Sequence, residues 1–225
     1  MRKKVVLCSF IFMLFFSVTA SCTTTFLDIA SKKTMKIQDN INIELDIPTV
    51  NSTDKGVNGI FDNINSDINS FVDRIASDAK KDLFHPSYMI KSSFEVPYNN
   101  NDLLSLVVSN YEFLGGAHGM STLIPYNYDL KTSNRLMLKD LFVEGFDYKT
   151  VCDSFIRSEI AKNKDVYFDH GDYFKGVKEN QDFYVSKDGI TIFFQLYDIA
   201  PYAAGLRYFE VPMDKFIGKL KFDII

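Results

Sequence analysis

Apolar residues recur at three- and four-residue steps over residues 57–79, at Val57, Ile60, Phe61, Ile64, Ile68, Phe71, Val72, Ile75 and Ala76, with Asn, Asp and Ser between them. That spacing predicts one amphipathic helix, with N-cap candidates at Ser52 to Asp54 and a stripe that must lie against something apolar. The period then changes to two. In YMIKSSFEV, Tyr88, Ile90, Phe94 and Val96 share one face and Lys91, Ser93 and Glu95 the other, as a half-buried strand requires. Pro97 is expected to end this strand and YNNND to turn the chain. Residues 103–113, LLSLVVSNYEF, are apolar enough for a central strand, and Ile124, Tyr126, Tyr128 and Leu130 alternate again before KTSN reverses the chain into RLMLKDLF. Tyr148, Val151, Cys152, Phe155, Ile156 and Ile160 form a second helical stripe between Asp147 and Lys162. Residues 163–181 are polar with scattered aromatics and read as a loop open to a partner. DFYVSKDGITIFFQL folds back around Lys187-Asp188-Gly189 as a hairpin, and RYFEVP supplies a last strand. A long helix followed by hairpins, without regular strand-helix alternation, predicts an α+β fold with largely antiparallel sheets each packed against a helix.

The N-terminal residues follow another logic. Arg2, Lys3 and Lys4 precede an uncharged apolar run over 5–18 and the small residues Thr19, Ala20 and Ser21, which is the make-up of an export signal over 1–21. The run is about 14 residues, short of the roughly 20 that a membrane-spanning helix needs. Val18-Thr19-Ala20 suits ordinary signal cleavage and a secreted product, whereas Thr19-Ala20-Ser21-Cys22 resembles the lipobox of bacterial lipoproteins, with Thr19 where Leu is usual. The second reading is preferred: Cys22 is acylated, two or more chains hold the protein on a membrane, and residues 22–40 act as a polar tether.

Cleavage removes three basic residues of 25 and no acidic one, which leaves 22 against 29 and a net charge of −7. Such a surface repels phosphate backbones, so no nucleic acid is expected as partner, while a cationic protein would be attracted. Of the three cysteines, Cys8 lies in the signal, Cys22 at the processing site and only Cys152 in the body, so no internal disulfide is expected. Cys152 falls on a helical stripe and reads as a small core residue.

Candidate chemistry is sparse. The three histidines, His85, His118 and His170, have no zinc-site spacing, and Asp169-His170-Gly171-Asp172 lacks the ligand set of a calcium loop, so neither metal nor cofactor is expected. His118 follows Gly115, Gly116 and Ala117 and precedes Gly119; in such a corner a histidine pins the backbone by hydrogen bonding. Catalysis would need a nucleophile or base beside it, and none flags itself. In YDIAPYAAG, Pro201 interrupts strand pairing while Ala203, Ala204 and Gly205 allow close backbone approach, which makes a packing joint. Tyr197 and Tyr202 there offer apolar rings with polar tips. His118, Tyr197 and Tyr202 are therefore the binding candidates, Gly115, Gly116, Gly119, Pro201 and Gly205 the structural joints, and no residue is assigned as catalytic. Aromatic platforms for sugars often use Trp and the chain has none, which weakens a glycan-binding reading.

The Gly115–Gly119 corner, the following IPYNYDLKTSNRLMLKDLF and above all FYVSKDGITIFFQLYDIAPYAAGLRYFEVP resemble the bacterial extracytoplasmic domain of unknown function shared by the anti-sigma factor RsiV and the peptidoglycan deacetylase PdaC. The resemblance covers about residues 41–216 and is closest in the second half; Ser133 stands where the family commonly has Gly, beside Asn134, which tolerates left-handed backbone. It implies two intertwined halves, 41–114 and 115–225, forming an extracytoplasmic binding or sensing module. Lysozyme is the partner implied by the RsiV-like proteins; in the PdaC-like ones the domain precedes a separate catalytic domain, and peptidoglycan is the other partner expected. The apolar run begins at Val5, so no cytoplasmic sigma-binding segment is expected, and neither Thr-Phe-Asp-Asp-Gly-Pro nor His-x-x-x-His occurs, so no deacetylase site is expected. The sequence reading is thus a non-enzymatic envelope lipoprotein that binds a lysozyme-like protein or a cell-wall ligand; the alternative is an envelope hydrolase using His118.

Overall fold

The structure, a computed structural model, describes residues 26–38, 40–81, 87–100 and 102–224. The signal, Cys22 and His85 lie outside the described residues. Among the described residues no helix is long and apolar enough to cross a membrane.

Six strands form the larger sheet, in chain order: β1 (Ile29–Gln38), β2 (Ile41–Val50), β3 (Tyr88–Asn100), β4 (Leu103–Phe113), β5 (Met120–Asp129) and β6 (Asn134–Arg135). Neighbours are antiparallel except β2 and β3, which run parallel because the long helix α1 (Lys55–Lys81) carries the chain back across one face between them. Asp54 starts that helix, its Oδ1 accepting from the amides of Gly56 (2.7 Å) and Val57 (3.0 Å), donors that the first turn leaves without intrahelical partners. The expected stripe does the packing. Val57, Ile60, Phe61, Ile64 and Ile68 cover Leu104, Leu106, Val108, Tyr126 and Tyr128, and Ile75 and Ala79 reach the other end of the sheet at Ile41, Ile43, Tyr88 and Ile90.

Two readings of this half change. Pro97 does not end β3: the strand runs on to Asn100 through a register shift between Glu95 and Tyr98, an irregularity that accommodates a residue with no amide proton. The stretch 22–40 assigned to a tether contains β1, which pairs along its whole length with β2. Its polar residues carry no alternation because residues 30–37 are exposed on both faces of an edge strand.

The smaller sheet is antiparallel: β7 (Phe183–Val185), β8 (Gly189–Phe194) and β9 (Arg207–Pro212). Helix α2 (Tyr148–Lys162) lies on it, capped by Asp147, whose carboxylate accepts from the Thr150 amide (3.1 Å) and hydroxyl (2.7 Å). Cys152, Ile156 and Ile160 join Val185, Ile190, Ile192 and Val211 in one core, where burial pushes the Cys152 thiol up to about 12 and keeps it protonated. Residues 163–181 are not the open loop their composition suggested. Tyr167, Phe174 and Val177 are buried in this core, Asp153 Oδ1 accepts from the Val177 amide at 2.7 Å, and Arg157 lies over the Phe174 ring. The two sheets with their helices are the α+β fold that the sequence predicted.

Side chains join the two layers where ladder bonds cannot. Ser105 of β4 and Asn127 of β5 are buried on the face of the larger sheet away from α1. The Ser105 hydroxyl donates to Asn127 Oδ1 (2.6 Å) and accepts from the Val185 amide (2.9 Å), while Asn127 Nδ2 donates to the Phe183 carbonyl (2.8 Å). Two residues of the large sheet therefore complete the backbone bonding of β7, as every buried polar group requires.

Candidate functional site

Beyond this polar seam the layers part and leave a groove of about 400 Å³. Strand alternation builds its floor: Ser93 of β3 stands opposite Ser109 of β4, and Ser109 opposite Leu123 of β5, with Glu95 and Val107 paired in the next row. The opposite wall carries Tyr184 of β7 and Tyr208 of β9, each ring 6.1 Å from the fully buried Phe193 ring, which fixes both of them. Tyr208 remains 47% exposed, enough to meet a ligand. Burial raises its hydroxyl above the ordinary tyrosine range, and the neighbouring Tyr184 and the Glu95 carboxylate push the same way, so it stays a protonated donor.

Gln195 holds the groove's β5 edge. Its Oε1 accepts from the Leu123 amide (3.1 Å) and its Nε2 donates to the Leu123 carbonyl (2.7 Å), as a partner strand would, and also to Asp182 Oδ2 (2.9 Å). Burial raises the Asp182 carboxyl, opposed by the Gln195 hydrogen bond and reinforced by Asp198.

The glycine corner leads into this edge, since Gly119 is two residues before Ser121 in the groove wall. Gly115 (φ 89°) and Gly116 (φ 100°) take left-handed backbone that a side chain would strain. Gly119 is required for a different reason: a Cβ there would lie 2.4 Å from the Tyr111 ring. His118 is exposed. With the proton on Nδ1 its ring donates to the Gly119 carbonyl at 3.2 Å, and its face stacks on Tyr202, centroids 3.9 Å apart and planes at 22°. Tyr202 rises from the short 3-10 turn after Pro201, which Gly205 (φ 71°) closes, and its hydroxyl donates to the same Gly119 carbonyl at 2.8 Å. Tyr197, at φ 68° and 48% exposed, tilts against Tyr202 at 5.8 Å.

The structure thus brings together all three sequence candidates, His118, Tyr197 and Tyr202, as one aromatic step that adjoins the groove at Ser121 and Leu206. Among the described residues no carboxylate, hydroxyl or thiol hydrogen-bonds to the His118 ring, and no group of three or more His, Cys, Asp or Glu is placed to hold a metal ion. An exposed imidazole tied to a carbonyl and a stacked phenol can bind and donate, and among the described residues no nucleophile is hydrogen-bonded to it.

Sequence reasoning missed the groove itself. Ser93 and Glu95 read as the polar face of a half-buried strand and Ser109 as part of an apolar central one, because alternation tells one face from the other but not that a second layer covers it. The signal available was chemical: small hydroxyl residues at outward positions of three neighbouring strands, Ser93, Ser109 and Ser121.

The model of the family Deacetylase PdaC matches residues 34–121, and that of Protein of unknown function (DUF3298) matches residues 139–214. Peptidoglycan-N-acetylmuramic acid deacetylase PdaC of Bacillus subtilis (strain 168) is 29% identical over 111 residues, 48% of this chain. The chain covers only 24% of that protein's length. The crystal structure of a DUF3298 family member from Bacteroides fragilis NCTC 9343 superposes with a TM-score of 0.65 at 23% identity, over 87% of this chain and 94% of the other. A DUF3298 family protein from Pseudomonas aeruginosa PAO1 does so at 0.62 and 19%, again over 87% and 94%. At these identities the two structures share the fold. The chain carries a DUF3298/PdaC-like domain, as the APYAAG and glycine-corner segments implied.

Proposed function

We propose that this DUF3298/PdaC-like domain is a non-enzymatic module of the cell envelope that holds peptidoglycan in the groove between its two layers. One observation carries the reading: a floor of serine hydroxyls and one carboxylate faces two tyrosines fixed on a buried phenylalanine. A glycan chain presents the complementary surface, apolar C–H faces for the tyrosine rings and hydroxyl and acetamido groups for Ser93, Ser109, Ser121 and Glu95. The His118–Tyr202 step extends that surface outward.

Two further observations support it. A relative is named as a peptidoglycan deacetylase, and residues 1–22, whose composition is that expected of an export signal ending at Cys22, would give a route to the envelope and a lipid anchor there. Hydrolysis is disfavoured because glycoside cleavage uses a pair of carboxyl groups, whereas Glu95 is the sole carboxylate among the described groove residues. A lysozyme-like cationic protein is the second reading, favoured by the net charge of −7 that the chain carries once residues 1–21 are removed.

Cosedimentation of the chain with purified peptidoglycan, beside a direct binding measurement with lysozyme, tests both. Retention by peptidoglycan that is lost in Tyr184→Ala and Tyr208→Ala, with folding intact, is the expected result. A wild-type chain that stays in the supernatant at micromolar concentration overturns the peptidoglycan reading, and release of sugar fragments overturns the non-enzymatic one.

A further inference from the structure

The strand that opens the described domain has a composition at odds with the rest of the molecule. Within β1 stand Lys32, Lys33 and Lys36 and no acidic residue, in a chain whose overall balance is −4. Met35 and Ile37 project from the same strand 74% and 77% exposed, and Phe26 just before it is 65% exposed. β1 is also the end of its sheet, so one row of its backbone amides and carbonyls pairs with no strand of the larger sheet.

Lysines on an edge usually serve to keep other strands away, and here they argue against a second copy as occupant. Two such edges laid together would bring like charges face to face. A neutral apolar partner would have to strip water from three ammonium groups. Of these only Lys33 approaches a carboxylate, Asp46 at 3.9 Å; Lys32 and Lys36 have no acidic partner among the described residues. Met35 and Ile37 share one face of β1 with Lys33, while Lys32 and Lys36 stand on the other, so the strand set edge-on carries lysines on both sides of its exposed apolar side chains. What satisfies these together is a surface that is anionic outside and apolar just beneath. Six residues separate Cys22 from Ile29, a reach of no more than about 25 Å, so the edge lies near wherever that cysteine is held.

We propose that the β1 edge rests on the anionic headgroup surface of the membrane, Lys32, Lys33 and Lys36 meeting lipid phosphates while Met35 and Ile37 enter the acyl boundary. The contact rests on charge and exposure and needs neither acylation of Cys22 nor an occupied groove.

Flotation with phosphatidylcholine vesicles, with and without phosphatidylglycerol, tests it on the exported chain carrying Cys22→Ala, so that no acyl group contributes. The expected result is binding only to the phosphatidylglycerol vesicles, weakened by added salt. Combined Lys32→Gln, Lys33→Gln and Lys36→Gln should weaken it about a hundredfold, and Met35→Ser with Ile37→Ser about tenfold. Unchanged circular dichroism and peptidoglycan retention in these variants would keep the result apart from the groove reading. Equal binding to neutral vesicles, no binding by the parent chain, or full binding by the triple variant overturns the proposal. So does a concentration-dependent dimer that disappears in the Met35→Ser and Ile37→Ser chain, which would assign the edge to a second copy.

Discussion

The Tyr202 hydroxyl and the Gly119 carbonyl are 2.8 Å apart, so a residue from the connection between β8 and β9 of the smaller sheet closes the corner between β4 and β5 of the larger one. The same carbonyl receives the His118 ring, which ties two side chains from distant parts of the chain to one oxygen. Tyr202→Phe keeps the stack on His118 and removes one donor. Urea unfolding should show a loss of about 1 kcal/mol, the usual worth of such a bond. Peptidoglycan retention should change little, because the ring remains.

His118→Gln should leave the fold in place and cost roughly 0.5–1.5 kcal/mol, since the amide can replace the bond to Gly119 but not the ring face. If His118 served a reaction, a turnover measurable in the wild type would vanish in this variant with stability intact. The expected outcome is no turnover to lose.

Gly119→Ala sets a methyl group 2.4 Å from the Tyr111 ring. Overpacking of this kind costs about 1–3 kcal/mol, to be read as a lower urea midpoint. Adding Tyr111→Ala should recover much of the loss attributable to Gly119→Ala, a non-additivity that identifies the ring as the obstacle.

Ser105→Ala removes the acceptor of the buried Val185 amide and leaves Asn127 without its donor. An unsatisfied buried group costs about 1–3 kcal/mol. Hydrogen exchange should locate the damage at β7, with the Val185 amide losing protection far more than those of α1.

The Asp182 carboxyl is raised mainly by burial, so folding favours its protonated form. Stability from this group is present below the ordinary aspartate value of 3.8 and is lost as pH rises through the higher folded value. Asp182→Asn, which can still accept from Gln195, should therefore unfold at higher temperature than the wild type near neutral pH. The advantage should fade as the pH falls towards the ordinary carboxyl range. A constant difference across that window would show that the charge is not its source.

Local rules read much of this fold. The stripe of α1 and its cap at Asp54, the long apolar β4, the Asp147 cap of α2 and the turn at Gly189 all follow from the residues immediately around them. What failed depended on a second layer. β1 has no periodicity because neither of its faces is buried, and the parallel step from β2 to β3 is a consequence of where α1 lies. Residues 163–181 hide buried aromatics among charges because the segment packs irregularly, residue by residue. The aromatic step was legible one ring at a time, as His118, Tyr197 and Tyr202, yet nothing in the spacing of 118 and 202 announces that the two rings stack. The groove was invisible for the same reason: its serines look like solvent-facing positions until β9 is laid across them.

The seam at Ser105 and Asn127 sets a rule for how such a chain can be cut or recombined. The Val185 amide and the Phe183 carbonyl find their partners on strands more than fifty residues earlier. A chimera that exchanged one half for a relative's would offer these groups a foreign sheet, and without a hydroxyl and an amide at matching positions it would pay in solubility before any ligand was tried. The pieces matched by the two family models, 34–121 and 139–214, are in this sense one inheritance, to be transplanted together.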